Sequence, residues 1–235
     1  MRIGIFGRGR LGRAISESAG GAVAWQLGRD GSPASPVDVA IDASGAEGVE
    51  AHLDWALETG TDLVIGATGW AIPDLEARVG RRIGVLVAPN FSLSVALMAR
   101  FALVLGRYAT LEADRDLYLL EHHHRAKADA PSGTAKRLAS ALMAGDPRKT
   151  EWTLGPAAPH QLSVGVLRAG SELGLHTVGL DAPAETLEIT HRARSRALFA
   201  DGALRAAAWV KGRKGRFTLD DFAKDLLDPL FDFGA

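Results

Sequence analysis

The residues best equipped for chemistry lie together in Glu121-His122-His123-His124-Arg125-Ala126-Lys127-Ala128-Asp129-Ala130-Pro131-Ser132-Gly133-Thr134-Ala135. Histidine exchanges protons near neutral pH, and lysine stays cationic unless buried. The Asp129-Ala130-Pro131-Ser132-Gly133-Thr134 turn then leads into a helix expected over residues 132–143, with Pro131 suited to its first turn. Ser132, Gly133 and Thr134 offer N–H and hydroxyl donors at a helix N-terminus, where anions are stabilised. Such a segment suits a site that grips a carboxylate and protonates an adjacent imine nitrogen. Glu121 and Asp129 either orient the bases or cap the turn.

Three successive histidines also invite a metal. In a continuing strand His122 and His124 share one face and His123 takes the other. A stable site needs three or four convergent ligands. No His-Glu-x-x-His or matching histidine pair occurs, and His52, His160, His176 and His191 stand isolated along the chain. No metal is therefore assigned.

Other elements must bring a cofactor to this segment. Residues 3–6 form a short apolar run of the kind that makes a buried parallel strand, followed by Gly7-Arg8-Gly9-Arg10-Leu11-Gly12 and a helix expected over 13–18. In this G-x-G-x-x-G the first glycine permits the tight turn, the second admits a pyrophosphate and the third lets helix and strand pack closely. A second strand is expected over 23–27. Sites that prefer NAD place an acid near its end to accept from the ribose. Here the chain reads Gly28-Arg29-Asp30, and an arginine without the acid favours the 2′-phosphate of NADPH over NADH. In the alternative, Asp30 turns in to serve the ribose.

Further strands are expected over 37–41, 63–65 and 83–87, with helices over 47–58 and 72–79. This alternation implies a doubly wound parallel sheet, whose ligands bind beyond the C-terminal strand ends. Gly7, Gly66-Ala67-Thr68-Gly69 and Ala88-Pro89-Asn90-Phe91 all fall on that rim. A helical stretch over 91–105 leaves this layer. Strands over 116–120, 162–168, 174–180 and 186–191 then suggest a separate four-stranded, mostly antiparallel or mixed sheet. Helices over 197–210 and 222–227 close the chain. The fold class is thus α/β, a Rossmann-like domain over residues 1–90 with 197–235 and an α+β domain over 91–196.

Composition narrows the classes further. Among 235 residues, 27 basic and 28 acidic side chains leave a net charge of −1, against the basic excess that a nucleic-acid surface needs. Cysteine is absent, which removes disulfides and thiolate chemistry. No apolar run reaches the roughly 20 residues of a membrane span, and the first residues enter a strand directly. A cytoplasmic protein is expected, without nucleic-acid or membrane partners.

The segment Glu121-x-His123-His124-x-x-Lys127-x-Asp129-Ala130-Pro131-Ser132-Gly133-Thr134-Ala135 closely resembles the signature of the 4-hydroxy-tetrahydrodipicolinate (dihydrodipicolinate) reductases. Arg168-Ala169-Gly170, Glu188-Ile189-Thr190-His191-Arg192-Ala193, Ser195-Arg196 and Phe199-Ala200-x-Gly202-Ala203 extend the resemblance along nearly the whole chain. It implies that His123 is the acid/base histidine and Lys127 the proton donor. It places His124 and Gly133-Thr134, with Ser132, at the substrate carboxylates. Gly7 to Gly12, Gly66 to Thr68 and Ala88 to Phe91 become the cofactor contacts. It further implies NADH- or NADPH-dependent reduction of a cyclic imine dicarboxylate on the diaminopimelate route to lysine, by homotetramers built through the second domain, and a closure that excludes water. The glycine loop is one residue shorter than the family's usual G-x-x-G-x-x-G. The segment 28–36 is short, and the acid often found at Gly28 and the arginine often found near Gly45 are missing. The competing readings are another NADPH-linked amino-acid or semialdehyde dehydrogenase and a nicotinamide-binding sensor without turnover.

Overall fold

The first four-residue strand is buried at every position, as a strand covered on both faces by helices must be. The computed structural model describes residues 1–29, 31–33, 35–232 and 234, so Asp30 lies outside the described residues. In chain order the first elements are β1 (Ile3–Phe6), α1 (Arg10–Ala19), β2 (Val23–Leu27), β3 (Val39–Asp42), α2 (Val49–Thr59), β4 (Asp62–Ile65), α3 (Leu75–Val79) and β5 (Gly84–Val87). Then come α4 (Leu93–Ala109), β6 (Asp116–His123), α5 (Gly133–Gly145), β7 (Glu151–Thr153), β8 (Gln161–Arg168), β9 (Leu175–Ala182) and β10 (Glu185–Arg192). The chain ends with α6 (Ala197–Val210), β11 (Gly215–Thr218) and α7 (Leu219–Leu227). It divides into two compact units, Met1–Leu93 with Arg196–Ala235, and Ser94–Ser195.

The first unit is built on a six-stranded parallel sheet of order β11-β5-β4-β3-β1-β2. Ile3, Ile5, Ile41, Val64 and Leu86 pack on one side with Ala200, Ala203, Ala206 and Ala207 of α6, whose small side chains let the helix lie close to the sheet. Phe6, Leu63, Ile65 and Val85 pack on the other with Val49, Leu53 and Ala56 of α2 and Val79 of α3. The short β11 was not expected, because Gly215-Arg216-Phe217-Thr218 offers one strongly apolar residue and lies at the sheet edge. Buried Asp62 anchors its approach, accepting from Gly84 N at 2.7 Å and from Gly212 N at 2.6 Å.

The first helix begins at Arg10, three residues before the expected start. Gly9 is its N-cap, so Gly12 lies inside the helix rather than ahead of it. A β-carbon on Gly12 would sit 2.2 Å from Gly7 O, which is why helix and strand can meet only at a glycine here. Gly7 has φ +108° and also faces Ala43 O, where a β-carbon would come within 2.4 Å.

The second unit carries a five-stranded mixed sheet of order β10-β9-β6-β8-β7, not the expected four strands. The additional strand is β7, three residues paired in parallel with β8, too short to show a period in sequence. Along β6 the burial alternates, with Leu117, Leu119, Glu121 and His123 inward and Tyr118, Leu120 and His122 outward. The inward side joins Val164, Val178 and Leu180 under α4 and α5. Those two helices touch through Gly106 and Gly145, where β-carbons would lie 2.4 Å from opposing carbonyl oxygens.

Removing the Asp62 carboxylate strands the buried Gly84 N–H and frees the more exposed Gly212 N–H. Asp62→Ala is expected to destabilise the first unit by roughly 1–3 kcal/mol, read by urea denaturation. An unchanged midpoint would show that β11 docks without this anchor.

Candidate active site

The strand period delivers the chemistry. Because β6 alternates, the apolar stripe of Leu117 and Leu119 continues as Glu121 and His123, 2% and 6% exposed. A buried carboxylate must be matched by donors. Glu121 Oε1 accepts from Ser132 N at 2.9 Å and from Arg168 Nη2 at 2.7 Å. Its Oε2 lies 3.4 Å from His123 Nδ1 and 3.5 Å from His176 Nε2. Burial pulls the Glu121 pKa upward, but the donors His176, Ser132 and Arg168 outweigh it and hold the carboxyl well below the usual range. Burial, with repulsion from His176, lowers His123 to about 4 despite the attraction of Glu121, so its imidazole rests neutral.

His176 is therefore not isolated. Antiparallel pairing of β9 with β6 sets residue 176 opposite 121, a relation that the linear sequence conceals. The donor atoms of Glu121, His123 and His176 fall within 4.8 Å of one another, a grouping that a transition metal could use. Arg168 already balances the carboxylate, however, so a divalent ion would add two positive charges beside a guanidinium in a buried site. The charge already balanced by Arg168 disfavours a divalent ion here.

The turn after β6 is held by the same groups. Arg168 Nη2 also donates to Asp129 O at 2.6 Å, and Ser132 N is taken by Glu121. Ser132 is the N-cap of α5, its hydroxyl accepting from Ala135 N at 3.1 Å. Both its polar groups are thus engaged inside the protein, and it holds the helix start in place. Pro131 precedes the cap and is not in the first helical turn; the Ala130–Pro131 peptide is cis. Gly133 and Thr134 occupy that turn. Lys127 Nζ pairs with Asp129 Oδ1 at 2.6 Å, and that lysine, then burial in opposition, leaves the Asp129 carboxyl below its ordinary value. His124 N donates to Glu172 O at 2.7 Å, while His122 Nε2 sits 3.0 Å from Ala169 O, closing the end of the β6–β8 pair.

In the first unit the glycine loop opens on a cleft of about 300 Å³, lined by Gly7, Arg8, Gly9, Gly28, Arg29, Ala43, Ser44, Gly45, Glu47, Gly48 and His52. Arg10 and Leu11 start α1 beside it, and nothing approaches within 4 Å of a β-carbon built on Gly9. Gly66 to Thr68 follow β4 and Ala88 to Phe91 follow β5; Gly66 N donates to Asp42 O at 2.8 Å and Ala88 N to Ile65 O at 2.9 Å. Gly66 also lies against Phe91, whose ring would stand 2.6 Å from a β-carbon there. At the cleft mouth Arg29 Nη2 pairs with Glu47 Oε1 at 2.7 Å, both side chains well exposed.

Sequence reasoning missed several residues of these sites. Buried Asp42 binds Ser44 N at 2.9 Å through Oδ1 and His52 Nδ1 at 2.7 Å through Oδ2, shaping the cleft floor. Arg168 had a signal, since Arg168-Ala169-Gly170 carries part of the resemblance. His176 and Glu47 had none, being brought in by strand pairing and by a short turn.

Comparison with known proteins identifies the family. Residues 29–91 match the family model described as dihydrodipicolinate reductase, N-terminus, and residues 94–223 match its C-terminus. A 4-hydroxy-tetrahydrodipicolinate reductase of Gluconacetobacter diazotrophicus is 36% identical, covering 94% of this chain and 96% of that protein. One from Acidiphilium cryptum is 37% identical with the same coverage. Among solved structures, a dipicolinate-bound dihydrodipicolinate reductase from a Paenisporosarcina species superposes with TM-score 0.74 at 21% identity, covering 94% of this chain and 98% of that one. Two matching domain models and identity over nearly the full length make this chain a member of the dihydrodipicolinate reductase family.

Proposed function

We propose that the chain is an NADPH-preferring 4-hydroxy-tetrahydrodipicolinate reductase of the diaminopimelate route, reducing the cyclic imine dicarboxylate for which its relatives are named. The observation that carries the reading is the junction of β6 and α5. One buried carboxylate, Glu121, holds a neutral imidazole and also the start of a helix whose first turn is Gly133-Thr134.

The nicotinamide, when bound to the first unit, supplies a hydride to the substrate ring. Gly9 and the first turn of α1 would face its pyrophosphate, and Arg29 the 2′-phosphate. In the second unit the N–H groups of Gly133 and Thr134, with His124, would grip a carboxylate. Lys127 would exchange Asp129 for the substrate and deliver a proton to the ring nitrogen, directly or through a water. His123 would polarise the reacting centre or pass a proton, its neutral imidazole gaining proton affinity as a dianion enters. Tetramers are proposed to form through the outer face of the second sheet. There Leu120 and Leu167 are 44% and 52% exposed, and Gly165 and Gly179 flatten the surface beneath Leu120 and Tyr118.

A coupled assay that generates the imine enzymatically and follows NADPH and NADH separately tests the whole reading. Cofactor binding without oxidation would favour the sensor instead. His123→Ala and Lys127→Ala are each expected to lower kcat about 10²–10⁴-fold with cofactor affinity kept. The His123 ring should titrate near pH 4 in the free protein by NMR. Its folded value lies below the ordinary 6.5, so its contribution to stability is full above about pH 6.5 and is lost as the pH falls toward 4. A ring that titrates at 6.5 would contradict the lowering by burial.

Arg29→Ala is expected to raise KM for NADPH about tenfold, the loss of one charge-assisted contact, and to leave NADH unaffected. Unchanged preference would remove Arg29 from the phosphate site. Leu120→Glu should give smaller species in sedimentation equilibrium with the circular dichroism preserved. A wild-type monomer would end the tetramer proposal.

A further inference from the structure

The proposed chemistry leaves one buried imidazole without a task. His176 is 4% exposed and stands across the β6–β9 pair from Glu121. Its Nε2 is 3.5 Å from Glu121 Oε2 and 3.3 Å from Ser132 Oγ, and its ring is edge-on to that of His123 with centroids 5.0 Å apart. One side chain thus faces the carboxylate behind His123 and the cap of α5 together.

The two oxygens of Glu121 have separate surroundings. Oε1 is filled by Ser132 N–H and the Arg168 guanidinium, which pins one end of the carboxylate. Oε2 is faced by the two imidazoles at 3.4 and 3.5 Å, and both Oε2 and His123 Nδ1 are buried without a hydrogen-bond partner among the described residues. The opposite nitrogen of His123 is turned elsewhere. Its Nε2 lies beside Gly174, where a β-carbon would stand only 3.1 Å away. A neutral imidazole whose Nδ1 faces a carboxylate carries its proton there, leaving Nε2 as the lone-pair nitrogen.

We propose that His176 is a positioning residue for the reduction: held between Ser132 Oγ and Glu121 Oε2, it keeps the carboxylate turned toward His123 Nδ1, so that His123 Nε2 is the nitrogen that exchanges protons with substrate. The proposal rests on the acid/base reading of His123. It adds that the orientation of the acid/base group and the start of the carboxylate-binding helix are set by one residue. Losing His176 would free the Oε2 end of the carboxylate, let both His123 tautomers coexist and loosen the Ser132 cap.

The contact atom is Nε2, so glutamine, whose amide nitrogen reaches that far, is the conservative replacement, and alanine removes the contact. His176→Ala is expected to lower kcat on the order of 10- to 100-fold, the scale seen when a histidine loses the outer partner that orients it. KM for the dinucleotide should not change, and His176→Gln should recover most of kcat. The groups facing His123 are Glu121 on its own strand, His176 on β9, Arg168 on β8 and Lys127 in the following turn. Burial is the largest cause of its low value and remains in the variant. Loss of repulsion from His176 should nonetheless move the His123 titration upward, toward the ordinary imidazole value. In ¹⁵N-histidine-labelled protein, long-range ¹H–¹⁵N spectra should show His123 protonated on Nδ1 in the wild type and the glutamine variant, and a tautomer mixture in the alanine variant. That readout needs no turnover, so it stands even if the wild type fails to reduce the imine. The proposal is overturned if His176→Ala keeps wild-type kcat and a single Nδ1–H tautomer. It is equally overturned if alanine and glutamine impair kcat alike and lower the melting temperature alike, which would make His176 a packing residue.

Discussion

A carboxylate buried inside the second unit is the constraint on which its site depends. Left alone, an ionised Glu121 at 2% exposure would be expelled or neutralised by the desolvation penalty of several kcal/mol. It stays because four groups from separate places converge on it: a backbone N–H of the turn, a guanidinium from β8 and imidazoles from β6 and β9. Each partner is in turn fixed by serving the charge. Arg168 reaches on to Asp129 O, and Ser132 becomes a helix cap. The turn that would receive a substrate carboxylate is therefore shaped by an anion already inside the protein, not by the intrinsic preference of its own residues.

The parts of this arrangement that are local were legible in the sequence. The strand period by itself separates His123 from His122, because a side chain an even number of residues after a core leucine must face the core. The glycine motif and the three rim segments after Phe6, Ile65 and Val87 were likewise legible, since each glycine has a different steric reason to be there. What stayed hidden is non-local. His176 lies 55 positions beyond Glu121 and meets it only through antiparallel register. Strands β7 and β11 are three and four residues long and exist because a neighbouring strand offers them a ladder. Helix starts shifted for a related reason: Gly9 and Ser132 become caps once the backbone around them is fixed, and propensity does not place a cap to the residue.

The cofactor cleft shows the limit of reading one residue at a time. Arg29 without an acid at position 28 points to a phosphate, yet the fold sets Glu47 2.7 Å from that guanidinium. At the exposure of both groups such a pair contributes well under 1 kcal/mol, and a phosphate with roughly twice the charge competes with it readily. Glu47 would therefore temper the proposed preference for NADPH without cancelling it. It also supplies, from the turn before α2, the acidic group that Gly28 fails to provide at the end of β2.

Both units solve the same problem with the same device. In the first, Asp42 at the end of β3 is fully buried and commits its oxygens to Ser44 N and Oγ and to His52 Nδ1, groups that line the cleft or border it. In the second, Glu121 near the end of β6 does so with Ser132, Arg168 and two histidines. A strand can carry a side chain inward only if the core accepts it, and at a strand's C-terminal end the core gives way to the backbone donors of the next turn. A carboxylate there exchanges water for directed N–H groups and freezes the turn in one conformation. A loop that must bind an anion gains from being ordered beforehand, because the ordering entropy is then lost in folding and not in binding. The acids least available to a ligand are thus the ones that make the neighbouring backbone ready for it.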